Sequence, residues 1–103
     1  MWQSSEIRFP GDHPTAAGHF PSNPIIPGAL LLDEVVTAAV GPGHESQTMI
    51  IRTAKFFRPV RPGEAVRILW QENENGGIKF ECRLIEGDVV AAAGTVEFEP
   101  VSR

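Results

Sequence analysis

PGALLLDEVVTAAVGPG, residues 27–43, decides how the rest of the chain is read. Nine of the twelve residues from 29 to 40 are apolar, and no Gly or Pro interrupts them. That run is long for a strand and suits about three helical turns. Pro27 pre-sets the backbone for a first turn, and Gly41-Pro42-Gly43 stops it. The stretch has no clear polar face, which predicts a helix over 29–40 buried on most sides. Asp33 and Glu34 interrupt it. A carboxylate on such a helix is costly unless it is paired, hydrogen-bonded or neutral. Adjacent residues point about 100° apart, so one reaches the helix edge while the other faces something polar.

Before the helix, residues 10–28 hold five prolines and three glycines. Proline removes a backbone donor and glycine adds freedom, so this stretch is an ordered loop rather than a helix or a central strand. Gln3 to Phe9 reads as a short strand ending at Pro10-Gly11. After the helix, residues 46–57, 64–74, 77–86 and 88–99 alternate apolar with polar over much of their length and read as strands. Ile78, Phe80, Cys82 and Leu84 stand against Lys79, Glu81 and Arg83, for example. Turn residues separate them: RPVRPG at 58–63, Asn75-Gly76-Gly77 and Glu86-Gly87-Asp88. The expected architecture is α+β, an antiparallel meander wrapped around one helix, in a single domain over 1–103.

Composition narrows the function. The chain is 42% apolar and 21% charged with a net charge of −4, as in an ordinary globular domain. No Lys/Arg cluster is interleaved with aromatics, so nucleic acid is not an expected partner. No apolar run approaches the roughly 20 residues that span a bilayer. The start, MWQSSEIRFP, does not read as a secretory signal, and one cysteine, Cys82, makes no internal disulfide. The expectation is a cytoplasmic protein with no membrane partner, and with Cys82 as a core residue lacking an activating neighbour.

The candidate chemistry lies in GHFPSNPIIPGALLLDE, residues 18–34. His19 comes from the proline-ordered loop and is the natural polar partner for a helix carboxylate. Gly28 stands at the helix start, where backbone N–H groups lack acceptors and the helix dipole favours negative charge. Gly28 and Asp33 are a little over one turn apart, which suggests that both serve one pocket. A base, an acid and an N–H donor suit proton abstraction beside a carbonyl. The residues alone leave another reading open, in which His19 bonds backbone in its loop and Asp33 pairs locally. Glu34 is the alternative acid. His13 reads as a turn residue and His44 as a solvated loop residue. Asp12, His13 and His19 lack any ordinary metal-ligand spacing, so a metal is not expected.

Residues 12–34 resemble the active-site segment of the β-hydroxyacyl-[acyl-carrier-protein] dehydratases. The likeness rests on Gly18-His19-Phe20-Pro21, Asn23-Pro24-Ile25, Pro27-Gly28, and an acid fourteen positions after the histidine. It continues in Ala54-Lys55-Phe56, Arg58-Pro59-Val60 and Pro62-Gly63, and more loosely through residues 77–98. The resemblance implies a hot-dog fold. It implies His19 as catalytic base, Asp33 as catalytic acid and the Gly28 N–H as donor to the thioester carbonyl, with Phe20 and Pro27 as candidate substrate contacts. It also implies a dimer, expected to be a homodimer, with the two catalytic side chains supplied by different subunits. The reaction would remove water from a (3R)-3-hydroxyacyl thioester carried on acyl carrier protein or CoA, and the resemblance implies that no cofactor is needed. Two alternatives share this fold: a thioesterase, and a non-catalytic subunit of a heteromeric dehydratase. The chain departs from the common form at Asp33, where Glu is usual, at Ser22 for Gly and at Thr37 for Gln. Phe20, Phe56 and Phe57 suit an acyl tunnel and core packing alike. Lys55, Arg58 and Arg61 suit an acidic carrier protein and a solvated edge alike.

Overall fold

A computed structural model describes residues 1–11, 25–41, 49–74 and 76–98. The elements run β1 (Gln3–Arg8), α1 (Gly28–Val40), β2 (Met49–Phe56), β3 (Ala65–Glu72), β4 (Ile78–Leu84) and β5 (Val89–Phe98). All five strands join one sheet in the order β1-β3-β4-β5-β2, and every pairing is antiparallel. The helix and the strands fall where the sequence places them, within a few residues. The architecture is the hot-dog arrangement that the resemblance implies, one helix laid against an antiparallel sheet.

One expectation needs correcting. Strands β3, β4 and β5 form a meander, but β2 does not continue it. The link after β2 carries the chain from one edge of the sheet past β5 and β4 to β3, and β2 pairs with β5 instead. Alternation tells which face a side chain takes and says nothing of which strand lies beside it.

Period-two alternation sorts the sheet into two faces. Val66, Ile68 and Trp70 of β3, Ile78, Phe80 and Cys82 of β4, and Ala92 and Val96 of β5 are buried and meet Leu31 and Val35 of α1 in one core. Arg67, Lys79, Glu81 and Arg83 take the opposite face. There Arg83 bridges Glu81 at 2.9 Å and Arg67 bridges Glu6 at 3.2 Å.

The helix is not buried on most sides within the chain. Leu31, Val35 and Val36 are buried, whereas Asp33 and Val40 are exposed and Glu34 is half-buried. Leu30, Leu32, Ala38 and Ala39 are partly buried against the same core, and Ala29, Asp33 and Val40 are left as the outward stripe of α1. Asp33 therefore pays no burial penalty in the single chain, which removes the apparent conflict of a carboxylate in an oily helix.

Two irregularities shape the β5 side of the sheet. The β2–β5 register shifts between Ile51 and Thr53, which leaves Arg52 as the extra residue, and its guanidinium pairs with Glu97. The β4–β5 register shifts between Cys82 and Arg83, opposite Ala91. The Ala91 carbonyl, out of step with β4, instead accepts from the backbone N–H groups of Phe57 at 2.8 Å and Arg58 at 3.3 Å. That bulge fixes the direction in which the chain leaves β2.

Candidate functional site

The start of α1 is built by its neighbours on both sides. The Ile26 N–H donates to the Val60 carbonyl at 2.7 Å, which ties the approach to the helix to the β2–β3 link. The Pro27 carbonyl accepts from Leu30 at 3.0 Å and Leu31 at 3.4 Å, closing the first turn. No side chain caps the helix, and no acidic residue stands in its first turn. The first N–H groups therefore carry their partial positive charge without a local counter-charge.

A cavity of about 370 Å³ opens at this helix start, bordered by Ile26, Gly28, Leu31, Phe56, Arg58 and Val60 among others. Its walls are mainly apolar, with Arg58 as the charged residue among them. Small-molecule sites are commonly apolar clefts of roughly 300–1,000 Å³ with few polar groups, so the size falls at the low end. The Phe56 ring lies on Gly28: a Cβ placed there would be 2.8 Å from the ring Cζ.

Asp33 faces elsewhere. It lines a second cleft of about 400 Å³ with Glu34 and Leu30 of α1 and Ile7, Arg8, Phe9 and Pro10 from the end of β1. Five residues along a helix turn through about 500°, which leaves Gly28 and Asp33 some 140° apart. The expectation that both serve one pocket fails within a single chain. The helical angle already contained this result, and the count of turns obscured it. Arg8, whose guanidinium also donates to the Gly63 carbonyl at 2.5 Å, is the neighbour of the candidate acid that the sequence reading missed. It does not stand out by spacing, because it comes into place through tertiary contacts.

His19, Phe20, His13, Asp12 and His44 lie outside the described residues. Pro27 is exposed at the helix start. Lys55, Arg58 and Arg61 are all exposed, and the Arg61 backbone N–H donates to Glu64 Oε1 at 2.6 Å. Among the described residues no three His, Cys, Asp or Glu side chains gather as metal ligands. No described helix is long and apolar enough to cross a membrane. Cys82 is buried in the core, as expected, and burial pushes its thiol up to about 12.

Sequence comparisons with known proteins show the family, and the solved structures share the fold. The family model described as ApeI-like, ApeI dehydratase, matches residues 3–95. A 3-hydroxyacyl-[acyl-carrier-protein] dehydratase FabZ of a Wolbachia species from Brugia malayi is 33% identical over 99 residues, covering 82% of this chain and 67% of its own. The FabZ of Rhizobium etli strain CIAT 652 is 36% identical over 93 residues, covering 80% of this chain and 60% of its own. The chain thus spans about two thirds or less of the length of these relatives. An uncharacterized protein from Erwinia carotovora subsp. atroseptica superposes with a TM-score of 0.81 at 25% identity, over 97% of this chain and 84% of that one. The dehydratase heterocomplex ApeI:P from Xenorhabdus doucetiae superposes with a TM-score of 0.77 at 22% identity, over 96% and 88%. Given a hot-dog sheet, an uncapped helix start at Gly28 and a match across nearly the whole chain, the protein belongs to the ApeI-like dehydratase family.

Proposed function

We propose that this chain dehydrates 3-hydroxyacyl thioesters, presented on acyl carrier protein, to trans-2-enoyl thioesters. The observation that carries the reading is the helix start, where uncapped N–H donors open onto an apolar cavity at Gly28. A thioester carbonyl set there gains negative charge as the neighbouring C–H is broken, and the donors stabilise that charge. The His19 imidazole takes the α-proton. The C–H electron pair forms the new double bond while the C3–O bond breaks, and the Asp33 carboxyl donates the proton that lets the oxygen leave as water. Return of a proton from imidazolium to carboxylate, by way of solvent, resets the pair.

The reading also requires two copies. Gly28 and Asp33 open onto separate clefts, so one site takes its donor from one chain and its acid from another. The two copies join along β2, whose outer edge pairs with no strand among the described residues and whose Ile51 is exposed. An unpaired edge with apolar side chains is the surface most in need of a cover. A second reading, a non-catalytic subunit paired with an active one, is favoured by the likeness to a heterocomplex.

Hydration of crotonyl thioester, the reverse reaction, tests the assignment. Wild-type protein should consume the enoyl absorbance and yield 3-hydroxybutyryl thioester by mass. His19→Ala and Asp33→Asn should each lower the rate by about 10²–10⁴-fold, the usual contribution of a positioned acid or base. Full activity in either variant sinks its assigned role. Flat traces with short, medium and long chains on carrier protein favour the non-catalytic reading. Free acid as product identifies a thioesterase.

A further inference from the structure

We propose that the Phe56 ring is the width selector of the acyl pocket, admitting slender, unbranched chains to the helix start and turning away chains that are bulky next to the thioester. The inference rests on the dehydratase reading above and adds the class of acyl group the site accepts.

Three observations place Phe56 in this role. Its ring stands against the Gly28 backbone: a Cβ built on Gly28 would lie 2.8 Å from Cζ and 2.9 Å from Cε1. The ring and the Gly28 backbone thus border the same cavity in close contact. Second, the cavity is only about 370 Å³, so the ring occupies volume that a wider acyl group needs. Third, Phe56 is 51% exposed in the single chain, whereas Ile26, Leu31 and Val60, which line the same cavity, are almost wholly buried. The floor of the cavity is therefore fixed by core packing, and Phe56 is the wall whose removal changes the width without opening the core.

The position of Phe56 in the strand supports the same role. It is the last residue of β2, paired with Ala92, and the next two N–H groups are held by the Ala91 carbonyl. The backbone that carries the ring is therefore anchored while the ring itself is largely free of core contacts. An anchored Cα with a half-exposed aromatic ring gives a wall of defined position and adjustable tilt.

Binding of inert amide analogues of acyl-pantetheine, read by calorimetry on the intact protein, tests the proposal without requiring turnover. One analogue carries a crotonyl group and the other its tert-butyl-substituted homologue. Wild type should bind the crotonyl analogue more tightly. Phe56→Ala should shift the ratio of the two dissociation constants toward the bulky analogue by about tenfold or more, a usual span for a change of this size in an apolar pocket. Phe56→Leu should fall between, which guards against a folding defect in the smaller variant. An unchanged ratio, equal weakening of both analogues, or no binding of either by wild type overturns the proposal. Discrimination by wild type without hydration of any enoyl thioester leaves the selector standing and removes the dehydratase reading.

Discussion

Cys82 carries the clearest charge consequence among single residues. Its side chain sits fully inside the core between β3 and β5, and loss of solvent pushes the thiol from 9.0 up to about 12. Between those values the unfolded chain releases the thiol proton while the folded chain keeps it. Stability that is intact below about pH 9 is therefore lost as pH rises toward 12, by at most about 1.4 kcal/mol per pH unit from this group. Comparing urea midpoints of wild type and Cys82→Ala across that window should show a steeper alkaline decline in the wild type; parallel curves would remove the linkage. The same burial should keep the folded thiol unreactive toward a thiol reagent at pH 8. Much of the residue-level reading was available from sequence. Cys82 alternates with Glu81 and Arg83, which assigns it to the inner face before any coordinates. Asp33 was harder, because an apolar stretch gives the count of oily residues and not which stripe of the helix the sheet will cover.

At the scale of elements, the strands depend on close approaches that only glycine permits. A Cβ on Gly94 would fall 2.1 Å from the Thr53 carbonyl oxygen, and backbone cannot swing aside as a side chain can. Gly94→Ala should separate β5 from β2 beside the Arg52 bulge and cost about 1–3 kcal/mol, at the scale of an overpacked core. Chemical denaturation reads the loss directly, and an unchanged midpoint would mean that the two strands part more easily than their register suggests. Gly28 is the informative contrast, since there the obstructing atoms belong to the half-exposed Phe56 ring. The elements themselves were legible: α1 as a long apolar run bounded by Pro27 and Gly41, and the strands by their period of two. The bulges at Arg52 and Ala91 were not, since a register shift is set by which strand comes alongside.

Among the described residues β1 and β2 are the edges of the sheet and α1 keeps an outward stripe, and the proposed pairing of two copies covers the β2 edge. Ile51 is 43% exposed on that edge. Ile51→Lys should leave the fold intact, since lysine is an ordinary edge residue, while shifting the sedimentation of the protein from dimer to monomer. With the copies apart, activity should fall even though every proposed catalytic side chain remains; a fully active monomer would refute a shared site. The sheet order has another consequence, in time rather than in space. Gln3 pairs with Trp70, and β1 has no other partner among the described residues, so β1 waits until β3 has been made before it can be paired. Closing so long a loop is entropically expensive and slow, whereas β3, β4 and β5 follow one another through short turns. The meander is thus the natural nucleus, and β1 and β2 close on its two flanks late in folding. Until they do, the outer edges of β3 and β5 stand unpaired, which makes synthesis the interval in which this protein is most open to aggregation.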